Sequence, residues 1–327
     1  MAIVLEHDEV VRTMTGGMAS NHPTFEGSER LRPNGRPTGA FRDELRKIPD
    51  VANAVTCLIS VVLPILLVAV AVSADHWLGI LLAIPVMGLV QNRMFILHHE
   101  GAHRLLFTNR KFNDFIGLNV FGPLSFGGGG HAYRRGHSNH HRDEFGPKEP
   151  DFLLYALFPV TGASFRRKLR RDFLGVSAYR QLKPRVVGVL NRRYALNSIR
   201  FYVGQITIFS MFFLSGQPAL YLLLWVLPYM TFYQVINRLR AIAEHGGMTR
   251  SGDKRQTSHH VRQSMLARIF LVPLRVGHHL AHHVDSGVPF RNLPKLTKAL
   301  KEDGYIYEDL LWRSYPTLWR ALAKSAG

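Results

Sequence analysis

Four apolar segments constrain this chain more than any other feature. They are residues 51–73 (VANAVTCLISVVLPILLVAVAVS), 77–97 (WLGILLAIPVMGLVQNRMFIL), 199–215 (IRFYVGQITIFSMFFLS) and 218–236 (PALYLLLWVLPYMTFYQVI). A helix needs about 20 residues to cross a bilayer, and each segment has that length or comes close. The links are ADH between the first two and GQ between the last two, so each pair predicts a helical hairpin. In lipid only helices and closed barrels satisfy their own backbone polar groups. The expectation is an all-α integral membrane protein: four transmembrane helices in two hairpins, with a cytoplasmic helical cap that carries the histidine boxes. Residues 112–126 and 152–162 are apolar but too short to span, which predicts interfacial pieces.

Charge sets the orientation. The formal net charge is +18 although 46% of the residues are hydrophobic, and nearly all the basic residues fall outside the apolar segments, Arg93 and Arg200 near segment ends being the exceptions. Arg30, Arg32, Arg36, Arg42, Arg46 and Lys47 precede the first segment, RRKLRR at 166–171 lies in the central loop, and neither hairpin tip carries Lys or Arg. Basic residues stay in the cytoplasm, so both termini and the central loop are expected there, in a multi-pass protein of the inner or plasma membrane if bacterial. The domain reading is a polar cytoplasmic arm at 1–50, flexible over 15–40, a membrane domain at 51–300 and an amphipathic tail at 301–327. Trp312 and Trp319 predict that the tail lies on the membrane surface. The N-terminus lacks the pattern of a secretory signal. The basic charge reads as membrane-facing and solvated surface; no nucleic-acid-binding motif accompanies it, so no nucleic-acid partner is expected. Cys57 is the one cysteine, which excludes a disulfide framework and any cysteine-held cluster. GGGG at 127–130 lacks the Gly-Lys-Ser/Thr of a phosphate loop and reads as a turn.

The 17 histidines then fall into a pattern. HHEGAH at 98–103 begins where the second segment ends, and His99 and His103 are four apart, on one helical face. HSNHH at 137–141 places His137, His140 and His141 at i, i+3, i+4. His245 follows the fourth segment, and HHLAHH at 278–283 repeats the second spacing with His279, His282 and His283. The second and fourth segments end on the same side, so every cluster maps to one layer. A single interfacial histidine is usually an anchor or a satisfied core group. Nine converging neutral imidazoles (His99, His103, His137, His140, His141, His245, His279, His282 and His283) can hold two first-row metal ions and leave positions open.

These motifs, HxxxH, HxxHH and HxxHH in that order, resemble the membrane fatty acid desaturase superfamily, which includes hydroxylases and related oxygen-using enzymes. The surroundings agree: LLFTNRKFNDFIG, AYRRGHSNHH, RLRAIAEHGG and VPFRNLPKL. The resemblance covers roughly residues 50–300. It implies that the nine histidines bind two non-haem iron ions (Fe2+/Fe3+) with O2 as co-substrate. It also implies a separate electron donor, a ferredoxin or a b-type cytochrome with its reductase, and a lipid or acyl substrate. His98, His131 and His278 do not fit the ligand spacing and read as supporting groups. Each ligand imidazole calls for a further hydrogen-bond partner; Glu100, Glu244, Asp143 and Asp285 are candidates by nearness in sequence. Many members carry an acidic residue where this chain has Ala281, and Asn237 is a candidate to order a metal-bound water.

The implied reaction removes hydrogen from an unactivated C–H bond. Loss of a second hydrogen leaves a double bond, and oxygen transfer leaves an alcohol. Desaturation of an acyl chain is the first reading. Hydroxylation, oxidative decarboxylation of a fatty acid, or desaturation of a small specialised metabolite is the alternative. A histidine-lined metal carrier is the rival from another class. It would place ionisable residues along the spans, whereas Asn92 and Arg93 sit near one end of the second segment.

Overall fold

The structure is a computed structural model that describes residue 9, residues 14–127 and residues 131–324. The end of the N-terminal arm, the last three glycines of 127–130 and the final residues 325–327 lie outside the described residues. The chain divides into two compact units: residues 48–134 with 168–237, and residues 1–47, 135–167 and 238–327. The helices used below are α1 (Asp50–Ser73), α2 (Trp77–His103), α3 (His131–Arg142), α4 (Val176–Val187), α5 (Ala195–Leu214), α6 (Gln234–His245), α7 (His279–Val284), α8 (Leu293–Glu302) and α9 (Tyr315–Leu322). The all-α expectation needs one small correction, because β1 (His260–Val261) pairs in parallel with β2 (Leu311–Trp312).

Among the described residues, three helical runs are long and apolar enough to cross a bilayer: Gly39–Ser73, Trp77–His103 and Pro218–His245. The third expected span, 199–215, forms α5, a 20-residue helix, but it is not among them; Asn197, Arg200 and Gln205 dilute its apolar character. The segment at 112–126 is helical, Arg110–Asp114 leading into a π-helical Phe115–Val120 and then Phe121–Leu124.

In the first unit the polar side chains of the spans find local partners, as hydrocarbon demands. The hydroxyls of Thr56 and Ser60 donate back to the carbonyls four residues earlier, at 2.9 and 2.7 Å. Buried Asn53 donates to the carbonyls of Leu105 and Leu106, at 3.3 and 2.9 Å, just past the end of α2. That helix stops because Arg104 takes a left-handed φ of 63°, the usual device of a helix C-terminus. Gly101 lets α2 touch the π-helical turn: a Cβ there would lie 2.4 Å from Cα of Gly117, which no side chain tolerates. The run Pro218–His245 contains two π-helical turns, Leu222–Val226 and Tyr229–Tyr233. Such turns release backbone carbonyls, and Gln91 Nε2 donates to that of Trp225 at 2.7 Å.

The second unit has a core of its own. Leu31, Leu45, Leu280, Ala281, Val284, Val288, Phe290, Leu293, Leu296, Leu300, Tyr305 and Ile306 are buried together. Residues 15–40 therefore correct the expectation of a flexible arm. Leu31 is buried, Arg30 makes ion pairs with Asp303 at 2.6 Å and Glu302 at 2.8 Å, and Gly35 lies so close to the Tyr305 ring that a Cβ would meet it at 2.9 Å. Within the stretch expected to be a surface tail, α9 turns its apolar face inward. Tyr315, Leu318 and Leu322 are buried, and Trp319 Nε1 donates to the carbonyl of Leu239 at 3.0 Å. A Ser314–Thr317 capping box starts this helix.

Candidate metal centre

Helix α7 is only six residues long, and packing divides it. Leu280, Ala281 and Val284 enter the core, which leaves His279, His282 and His283 on the opposite face. Helix α3 carries the second box on one face, with His137 and His140 buried. His245 is the last residue of α6. These seven histidines belong to one unit, and the structure brings them together.

His140, His245, His279 and His283 form a compact set, each offering a nitrogen within 4.8 Å of the others. Nε2 of His140 lies 3.3 Å from Nε2 of His283, and Nε2 of His279 lies 2.9 Å from Nε2 of His245. The hydrogen bonds at the Nδ1 atoms show why this set could hold a metal ion. His283 donates its Nδ1 proton to Glu144 at 2.6 Å, His140 donates to Glu149 at 2.9 Å, and His245 donates to the carbonyl of Thr257 at 2.7 Å. When these three imidazoles are neutral, their Nε2 atoms are bare lone pairs, which repel one another unless a cation stands between them. Two nitrogens bound to one ion at about 2.1 Å and 90–110° would be about 3.0–3.4 Å apart, close to what is observed.

The electrostatics differ between members of the set. Burial, followed by the charge of the neighbouring imidazoles, pushes His279 and His283 well below the ordinary histidine value. Burial also lowers His140, but the hydrogen bond and charge of Glu149, with Asp151 and Glu144 further off, outweigh it and raise the pKa. A carboxylate in that position makes an imidazole a stronger donor to metal. Phe145 and Tyr155 wall the His245 ring at centroid distances of 6.3 and 5.1 Å.

His137, His141 and His282 form a second set beside the first. Nε2 of His137 and His141 are 3.0 Å apart, the His141 and His282 rings are centred 4.6 Å apart, and His141 stacks on His283 at 4.3 Å. His99 and His103 lie in the other unit, on the last turn of α2, with rings 4.7 Å apart.

Two of the four expected carboxylates are engaged elsewhere and two stand beside ligand imidazoles. Asp143 is engaged by Arg250 at 2.9 Å and Asp285 by Arg46 at 2.7 Å. Glu244 stands 3.7 Å from Nδ1 of His279, and Glu100 stands 3.4 Å from Nδ1 of His99. Glu144 and Glu149 make the shorter contacts. The available signal was the acidic cluster DEFGPKEPD directly after the second box, which nearness to the ligands alone does not rank. Glu144 is also paired with Lys254 at 2.5 Å. Ala281 is buried in the apolar core, so a carboxylate there would have no polar surroundings. His98 donates to the carbonyl of Gly117 at 2.9 Å, His278 meets Thr297 at 2.9 Å, and His131 lies 3.0 Å from Arg134. These three are occupied away from the clusters.

Comparison with known proteins agrees with this chemistry. A family model described as fatty acid desaturase matches residues 75–315. The chain is also similar to a dihydrorhizobitoxine desaturase of Bradyrhizobium elkanii, with 26% identity over 249 residues, covering 71% of this chain and 70% of that protein.

Proposed function

The chain belongs to the fatty acid desaturase family, and from that premise we propose a membrane-bound di-iron oxidoreductase that uses O2 and two electrons to desaturate an acyl chain. The observation that carries the reading is the four-imidazole set, with Nε2 atoms at chelate distances and three Nδ1 protons already committed. In this reading His140, His245, His279 and His283 hold one iron. His137, His141 and His282 hold the other together with His99 and His103, whose inclusion rests on the spacing of the first box and on the family's pattern.

Bound iron supplies reversible one-electron change and affinity for dioxygen, which no side chain offers. The residues of the chain do the rest. Glu144, Glu149 and the Thr257 carbonyl keep the Nδ1 protons in place and so fix which nitrogen faces the metal. Leu280 and Val284 hold α7 at a fixed depth in the core. Phe145 and Tyr155 keep water from the His245 side. Overall, two hydrogens leave adjacent carbons, and with two electrons and two protons from a donor, O2 ends as two water molecules. In this reading the electrons come from a ferredoxin or a b-type cytochrome, since the one cysteine of this sequence cannot hold an iron–sulfur cluster. The distribution of Lys and Arg supports cytoplasmic termini and a cytoplasmic site.

One observation favours a second substrate class. The relative is named for dihydrorhizobitoxine, so a small specialised metabolite takes the place of the acyl chain in the alternative reading. Two measurements test the proposal: metal content of the purified protein, expected at two irons per chain, and comparison of lipids and small metabolites in cells with and without the gene. Zinc alone, with no oxygen consumption on reduction, would sink the di-iron reading. A product that gains oxygen would replace desaturation with hydroxylation.

A further inference from the structure

Residues 168–194 combine two properties that soluble surfaces avoid together. Arg170, Arg171, Arg180, Lys183, Arg192 and Arg193 are all exposed. The only acidic residue in this stretch, Asp172, is buried and accepts from the Ser177 hydroxyl. Large apolar side chains stand among these cations: Leu174 is 67% exposed, Tyr179 60% and Leu190 88%. On α4 the exposed residues Tyr179, Lys183, Val186 and Val187 follow i, i+4, i+7, i+8, one helical stripe, and Leu190 continues it just past the helix. Lys183 and Arg193 lean over the rings of Tyr179 and Tyr194, at 6.0 and 5.7 Å.

The inner side of this segment is fixed. Gln181 donates to Gln234 at 3.1 Å, Arg185 donates to the Tyr229 hydroxyl at 3.3 Å, and the rings of Phe173 and Phe232 meet at 5.3 Å. The stripe therefore faces outward from the apolar run Pro218–His245, and the chain passes from it directly into α5. An outward apolar stripe flanked by exposed arginines has the make-up of an interfacial helix that rests on an anionic membrane surface. A protein partner would need acidic groups to meet the arginines and a dry apolar face to meet Leu174, Tyr179 and Leu190 together; a bilayer of anionic lipids presents both at one level.

We propose that residues 168–194 form a binding surface for anionic phospholipid headgroups, with Arg170, Arg171, Arg180 and Arg193 meeting the phosphates and Leu174, Tyr179 and Leu190 entering the acyl boundary. The proposal concerns a lipid that the enzyme rests on and is independent of what it oxidises.

The test offers the full-length protein, in mild detergent, equal amounts of phosphatidylglycerol and phosphatidylcholine and counts bound lipid by native mass spectrometry. Wild type should favour phosphatidylglycerol by about tenfold or more. The combined variant Arg170→Gln, Arg171→Gln, Arg180→Gln, Arg193→Gln should bring the ratio near unity with helical content unchanged. Leu174→Gln with Leu190→Gln should reduce total retained lipid and keep the preference. If the quadruple variant does not fold, wild type in about 0.5 M salt gives the same reading, since screening must erase the preference. An equal ratio for wild type, or a preference that survives both neutralisation and salt, overturns the proposal. So does an acidic protein that binds wild type in phosphatidylcholine nanodiscs and not the quadruple variant, because the surface would then be a protein-docking site.

Discussion

The second and third histidine boxes share the HxxHH spacing, yet the structure supports them by opposite means. Helix α7 is buried on every side: its three ligands face the metal site, and Leu280, Ala281 and Val284 face a hydrocarbon core. Helix α3 has an exposed outer face at Ser138 and Arg142, and after it the acidic loop returns Glu144 and Glu149 to the two boxes. The α7 box is held by packing and by Glu144 on His283; the α3 box, with its outer face exposed, relies on Glu149 behind His140. Spacing tells which histidines share a face; it does not tell what holds that face still.

The comparison can be broken most severely at the ligands. His283→Ala and His140→Ala each remove one nitrogen from the four-imidazole set. We expect loss of that metal and of turnover, with membrane insertion unchanged, measured by iron content and product formation. Next is the packing of α7. Leu280→Ala opens a cavity in a fully buried core and should cost about 2–5 kcal/mol of stability, read as a lowered Tm, whereas Ser138→Ala on the exposed face of α3 should stay within about 0.5 kcal/mol. The charged support comes third. Glu144→Gln and Glu149→Gln keep the shape but remove the anion behind His283 and His140, and each should weaken metal affinity about 10–100-fold, measured by chelator competition. Smallest is Arg46→Ala. It strips the bidentate partner from nearly buried Asp285, at the C-terminus of α7. Because Arg46 is itself half-exposed, the cost should be about 1 kcal/mol or less in thermal stability, with iron content retained.

Much of the site was legible in the chain. HSNHH and HHLAHH name their ligands by helical period alone, and His278 falls outside the set because its phase is wrong; in the structure it meets Thr297. The supporting carboxylates were not legible. Asp143 and Glu144 are neighbours in sequence, but one reaches Arg250 and the other reaches His283 and Lys254. A loop has no period, so one residue's difference there decides direction without leaving a pattern. The arm at 15–40 reads as flexible by composition, yet Leu31 and Gly35 are held by contacts with residues near 300.

By itself the sequence determined the apolar runs, the family and the ligand spacing, because each follows from a periodicity or a run length that local chemistry imposes. Only the tertiary structure decided which nitrogen of each imidazole is free, which carboxylates hold the others, and that the tail's apolar face turns inward. Those choices depend on partners distant in the chain, whose meeting is set by packing and the burial of charge.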